Sequence, residues 1–95
     1  MYRMVYTMYI LYSPNFSKIY IGFTSNLIER FKSHNQLGKK GWTIKFRPWT
    51  VIYCEHFEIK SKAMEREAFL KSGKGREWIH KKITADYMQT GFISK

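Results

Sequence analysis

The chain has 95 residues, with seventeen Lys and Arg against seven Asp and Glu for a formal charge of +10 at pH 7. That is one domain's worth of chain, enough to bury roughly 60–65% of its unfolded surface without staples and too little for a second core. One cysteine, Cys54, excludes an intramolecular disulfide and a cysteine-built zinc site, and no run approaches the roughly eighteen apolar residues of a membrane span.

The positive excess is spread along the whole chain and implies a polyanionic partner, nucleic acid being the usual one, because each Lys or Arg set near a phosphate releases a condensed counterion. A lone cysteine suits a reducing compartment, and the cytoplasm is the expected location. Residues 4–12 follow Arg3 as an apolar run, but they are tyrosine-rich and end at Ser13, Pro14 and Asn15 without a small-residue cleavage site, so they read as a strand rather than a signal peptide.

That first strand is expected over residues 5–12, with Val5, Thr7, Tyr9 and Leu11 on one face and Tyr6, Met8, Ile10 and Tyr12 on the other. Both faces look buried. A turn at residues 13–16 follows, with Pro14 preset for its first central position. If those four residues are the whole loop, Ser17 pairs with Tyr12, and counting back brings Tyr20 opposite Tyr9 on the same face. A one-residue slip would separate the two phenols.

The stretch from Tyr20 to His34 then changes from an apolar strand pattern to a helical one. Asn26 with Glu29 three residues on is a helix-start signal, since the Asn side chain accepts an orphan backbone N–H and the Glu favours the positive helix end. With Leu27 at zero, steps of about one hundred degrees put Phe31 near 40, His34 near 340 and Arg30 near 300, so Arg30 and His34 border the buried stripe. They aim into a cleft between elements or, alternatively, are a surface Arg and a capping His.

Residues 38–41 read as an exposed basic loop carrying Lys39 and Lys40, with Lys45 and Arg47 close behind and Trp42 and Phe46 interleaved. Cations among aromatics suit a surface that tracks a nucleic-acid backbone, and closure of the core by the two rings is the alternative. After Pro48, residues 49–57 alternate as a third strand, Thr50, Ile52, Cys54 and His56 against Val51, Tyr53, Glu55 and Phe57.

A second helix is expected over residues 62–72, capped by Ser61 and stopped by Gly73. With Ala63 at zero, Met64 falls near 100, Ala68 near 140 and Leu70 near 340 in steps of about one hundred degrees, which centres the apolar arc near 50 and sets Glu67 at about 40, in its middle. Glu65 points away. A desolvated carboxylate without a partner costs several kcal/mol, so Glu67 must meet a metal ion, an Arg or a Lys. Lys74 and Arg76 follow, then a short helix near residues 77–83 anchored by Trp78 and Ile79. The domain is expected to span 1–83, with 84–95 a tail.

The inward polar groups are thus Tyr9, Tyr20, Arg30, His34 and Glu67. A carboxylate facing phenol, guanidinium and imidazole fits phosphodiester cleavage: the carboxylate holds a divalent cation, cation and Arg offset the phosphate's charge, and a phenolate or imidazole takes the water proton. No Gly-x-Ser-x-Gly elbow, second inward carboxylate or phosphate-cradling glycine pattern supports a protease, a glycosidase or a nucleotide-binding reading.

Thr7-Met8-Tyr9, then ten residues, then Tyr20-Ile21-Gly22, with Arg30 ten past Tyr20 and His34 four further, resembles the GIY-YIG nuclease family. Ala63, Glu67 and Lys71 at steps of four, and Arg47-Pro48-Trp49 before the third strand, are similar to its small stand-alone branch. The resemblance covers most of the chain. It implies an α+β fold, a small three-stranded antiparallel sheet flanked by helices, and a DNA endonuclease with one Mg²⁺ or Mn²⁺ held by Glu67. It further implies Tyr9 as the base or its activator, Tyr20 and Arg30 on the phosphate, and His34 assisting proton transfer. Lys32, Lys39, Lys40, Lys45, Arg47, Lys71, Lys74 and Arg76 are the expected nucleic-acid contacts. Three departures stand out. Thr7 replaces the leading Gly of the first motif, Phe23 replaces a lysine of the excision-repair members, and no Asn follows Asn35, so Gln89 or Lys71 would have to replace the Asn that many members place on the scissile phosphate.

Overall fold

In a computed structural model, residues 4–32, 34, 35 and 42–84 are described. The fold is α+β: a three-stranded antiparallel sheet in the order β2-β1-β3 with helices on it. β1 (Tyr6–Ser13) is central and buried on both faces, as its unbroken apolar run requires. β2 (Lys18–Thr24) pairs with it on one side and β3 (Thr50–Phe57) on the other.

The hairpin register differs from the expected one by two residues. The loop is residues 14–17, Ser13 pairs with Lys18, Tyr9 faces Gly22, and Tyr20 faces Leu11. A shift of two keeps each side chain on its face, so the phenols still share one side of the sheet but lie diagonally. Ser17 closes the turn with φ 53, in the left-handed region. A second difference is in β3, where Ile10 pairs with Tyr53 but Leu11 with Val51, leaving Ile52 as a bulge. The strict alternation therefore breaks: Ile52 joins Met8 and Ile10, whereas Cys54 packs beside Tyr9 and Leu11.

α1 (Leu27–Lys32) begins as its start signal demands, with Glu29 N–H donating to Asn26 Oδ1 at 3.1 Å and Asn26 Nδ2 donating to Glu29 Oε2 at 3.0 Å. Its α-helical part ends at Lys32, and His34 and Asn35 have π-helical backbone. A 3₁₀ turn (Trp42–Phe46) leads into β3.

α2 (Lys60–Lys71) starts two residues earlier than expected, behind Ile59, which gives no side-chain cap, so Ser61 is inside the helix. Ser72 ends α2, and Gly73 opens α3 (Gly73–Trp78) rather than only stopping its predecessor; Ser72 Oγ accepts from Gly75 N–H at 3.3 Å. Gly75 is forced at this junction, because a Cβ there would lie 2.1 Å from the Phe69 carbonyl oxygen and 2.4 Å from Leu70 Cα. A π-helical segment (Ile79–Thr84) completes the described chain.

Two cores result. Met8, Ile10, Tyr12, Ile21 and Ile52 pack against Leu70 of α2 and against Ile79 and Ile83. On the opposite face Tyr9, Leu11 and Trp49 pack with Tyr20, Leu27, Phe31, Phe46 and Cys54. Each fully buried large apolar side chain contributes about 1.5–3 kcal/mol. A polar clamp ties α2 to β3: Arg66 donates to both oxygens of Glu55 at 3.0 and 3.1 Å, and Tyr53 Oη donates to Glu55 Oε2 at 2.6 Å. Among the described residues no helix is long and apolar enough to cross a membrane.

Candidate active site

The site is assembled around the hydroxyl of Tyr9. From the central strand this side chain reaches across Gly22 of the edge strand, and the ring is only 1% exposed. Gly22 is what permits the crossing. A Cβ at that position would stand 2.8 Å from Tyr9 Oη, 2.9 Å from its Cζ and 3.1 Å from Tyr20 Cε2. Normal carbon contacts need about 3.5–4.0 Å, so any larger residue would push one or both phenols aside.

Tyr20 enters from β2 with its ring centroid 6.2 Å from that of Tyr9 and 4.6 Å from that of His34. His34 is 8% exposed. Its Nε2 shares a hydrogen bond of 3.1 Å with Tyr9 Oη, and its Nδ1 one of 3.1 Å with Thr43 Oγ1. Both ring nitrogens are therefore engaged and the imidazole plane is fixed.

That orientation rests on groups the sequence pattern did not single out. Asn35 clamps the Trp49 backbone, donating from Nδ2 to the carbonyl at 2.8 Å and accepting from the N–H at 2.5 Å, while Trp49 Nε1 donates to the Thr43 carbonyl at 2.8 Å. Arg47 Nε donates to the His34 carbonyl at 2.5 Å. Together these hold the segment after α1 against the approach to β3. No periodicity or local pattern marks Asn35 or Thr43, which act on partners fourteen and nine residues away.

Charges around the phenol set its state. Burial, helped by Tyr20, pushes the Tyr9 pKa up to about 12 against the downward pull of the Arg30 guanidinium, which is hydrogen-bonded to the phenol; the Glu67 carboxylate adds to the rise. His34 moves the other way, its pKa lowered first by burial and then by the positive charges of Arg30 and Arg47. At neutral pH Tyr9 is a phenol and His34 a neutral imidazole.

Arg30 and Glu67 thus act electrostatically on the same hydroxyl from opposite elements, α1 and α2. The buried stripe of α2 is centred on Ala63 and Leu70, because Met64, Ala68 and Phe69 are exposed. Glu67 consequently sits at the stripe's edge rather than its middle, with a side chain 21% exposed, and meets Lys71 Nζ at 3.3 Å. Glu65 points to solvent, as its position on the helix requires.

Among the described residues no group of three or more His, Cys, Asp or Glu side chains could enclose a metal ion. The donor set is one carboxylate. That fits Mg²⁺ or Mn²⁺, hard ions that keep several waters and take one or two carboxylates plus phosphate oxygens, and Lys71 is exposed enough to swing away. Of the expected nucleic-acid contacts, Lys32, Lys45, Lys71, Lys74 and Arg76 are exposed and Arg47 is half-buried against His34. Lys39 and Lys40 lie outside the described residues. His56 is a structural histidine, sharing a bond of 2.9 Å with Thr7 Oγ1.

Comparison with known proteins matches residues 5–82 to the family described as the GIY-YIG catalytic domain. A UPF0213 protein of Limosilactobacillus reuteri is 38% identical over 68 residues, 70% of each chain. One from Streptococcus pyogenes serotype M5 is 36% identical over 73% of this chain and 74% of its own length. One from Clostridium perfringens is 38% identical over 56% of this chain and 57% of its own.

Proposed function

The chain belongs to the GIY-YIG family of nuclease catalytic domains, and from that membership and the geometry around Tyr9 we propose that it is a divalent-metal-dependent endonuclease that hydrolyses phosphodiester bonds in DNA. A nucleic-acid substrate comes with the family; DNA, the metal and the residue roles are the proposal. The observation that carries it is the buried Tyr9 hydroxyl, bonded to His34 Nε2, with the Tyr20 ring beside it and the charges of Arg30 and Glu67 acting on it.

In the tautomer with hydrogen on Nδ1, which donates to Thr43, His34 Nε2 is free to accept from Tyr9. A phenol with its pKa near 12 is a poor standing base. It is instead suited to relay: Tyr9 gives its proton to His34 Nε2 as it takes one from the attacking water, so the charge ends on an imidazole that is neutral beforehand. Arg30, which the structure leaves exposed rather than inward as its helical phase suggested, neutralises charge that builds on the phosphate oxygens. Tyr20 packs beside both rings and limits where the phosphate can sit. Glu67 would hold the metal ion, which when bound supplies Lewis-acid stabilisation of the phosphate charge.

The basic surface of Lys32, Lys45, Lys71, Lys74 and Arg76 steers and holds the polyanion. The cytoplasm remains the proposed compartment, since a chain with one cysteine gains nothing from an oxidising one.

A binding-only module is the rival reading, and one observation favours it: Lys71 Nζ already neutralises the lone carboxylate. Nicking of supercoiled plasmid with Mg²⁺ or Mn²⁺ decides between them. The nuclease reading expects nicks that vanish with a chelator and in Glu67→Ala and Arg30→Ala, while Glu67→Ala still binds DNA. Binding without cleavage of duplex, branched or single-stranded DNA by the wild-type chain would establish the module instead, and competition by RNA would redirect the substrate assignment.

A further inference from the structure

The corner formed by the β1–β2 turn and the 3₁₀ turn is not used by the chemistry above, yet it adjoins the site. Phe16, at the tip of the turn, leaves 48% of its surface in solvent. Its ring meets that of Phe46 edge to face, centroids 5.4 Å apart, and Lys18 Nζ stands 5.5 Å from the centre of the Phe46 ring. Phe46 in turn packs on the cluster that contains Tyr9, Leu11, Trp49 and Tyr20. The exposed aromatic corner and the candidate active site therefore pack on the same cluster.

Strand geometry sets the spacing. Lys18 and Tyr20 lie two apart on β2 and so point to the same face, about 7 Å from one another along the strand. The turn that presents Phe16 is held by a hydrogen bond of 3.3 Å from Phe16 N–H to the Ser13 carbonyl and by Ser17 in the left-handed region. A non-glycine residue there costs roughly 1–2 kcal/mol, and the result is an aromatic ring turned outward instead of into the core.

We propose that Phe16, Phe46 and Lys18 form a docking platform for an unpaired nucleotide of the strand being cut. Phe16 stacks the base while Lys18 takes the adjoining phosphate. The ring faces of paired bases inside a duplex are covered by their neighbours, so away from a duplex end a platform of this kind accepts a base only where the strand is unpaired, and it does so whatever the sequence because every base offers a π face. The substrate class is then nucleic acid with a single-stranded segment beside a duplex, such as a tail, a flap or a branch. The inference rests on the nuclease reading for the position of the cut, but the binding preference it predicts does not depend on cleavage.

Fluorescence anisotropy with a chelator present tests it, using a short blunt DNA duplex and the same duplex carrying an unpaired 5′ or 3′ tail. The wild-type chain should bind one tailed form about tenfold more tightly than the blunt one, within the range expected for one stacked base. Phe16→Ala should remove that advantage, Phe16→Trp should keep it, and Lys18→Ala should flatten the salt dependence of tailed binding by about one unit of slope. Equal affinity for blunt and both tailed duplexes, or a tail preference that survives Phe16→Ala, overturns the proposal. A tail preference in a chain that never nicks plasmid would sink the nuclease reading and leave the platform standing; nicking with no tail preference would do the reverse.

Discussion

Gly22→Ala is the smallest change that should disable the site without touching a polar group. The added methyl would stand 2.8 Å from Tyr9 Oη and 2.9 Å from Cζ, some 0.7–1 Å inside ordinary contact. The Tyr9 ring is buried and its hydroxyl is tied to His34 Nε2 at 3.1 Å. Moving the phenol clear would stretch that bond to almost 4 Å, beyond hydrogen-bond range. Overpacking of this sort costs about 1–3 kcal/mol, or a fall in Tm of roughly 5–20 °C for a domain of this size. A displacement near 1 Å in a catalytic group costs on the order of 10²-fold in rate. Thermal denaturation followed by circular dichroism, and single-turnover cleavage under conditions where the variant is fully folded, measure the two effects separately. Wild-type Tm together with wild-type rate in Gly22→Ala would refute the claim that the phenol crosses the edge strand at this glycine.

Other outcomes follow from the same geometry. Asn35→Ala strips the Trp49 N–H and carbonyl of their side-chain partners and should lower stability by about 2 kcal/mol in a denaturant titration. His34, with its pKa lowered in the folded chain, binds fewer protons folded than unfolded; stability should therefore hold above about pH 6.5 and decline as pH falls through that value towards the folded pKa, and the His34→Gln variant should lose that decline. The same depressed pKa should set the acid limb of the cleavage rate below the ordinary histidine range, and a limb at or above that range would contradict the relay. Tyr9 and Tyr53 are both raised to about 12, chiefly by burial, so their contribution to stability is present below pH 10 and lost as pH rises towards 12. Phenolate absorbance should show two tyrosines whose titration is displaced above pH 10 towards 12.

The sequence made the central strand and both motif tyrosines legible because a run of eight apolar or small residues ending at Ser-Pro-Asn has few other fates. Asn26 and Glu29 announced α1 by a capping pattern that the chain forms bond for bond. What was not legible depends on pairing rather than pattern. The two-residue register offset came from the loop lying at 14–17 instead of 13–16, and the Ile52 bulge arises only when β3 is laid against β1. Helical phase alone put Glu67 mid-stripe because it counted Met64 and Ala68 as core, whereas both lie in solvent and Leu70 with Ala63 does the packing. Thr43 and Asn35, which fix His34 and Trp49, act through contacts with partners nine and fourteen residues away that no local signal encodes.

The most direct measurement is single-turnover cleavage of a labelled DNA substrate by the wild-type chain and Glu67→Ala, each at saturating protein as judged by anisotropy, with Mg²⁺ or Mn²⁺ added. The account predicts cut product from the wild type alone, at equal occupancy of the DNA. Equal cleavage by both, or none by the wild type with either ion, would contradict it.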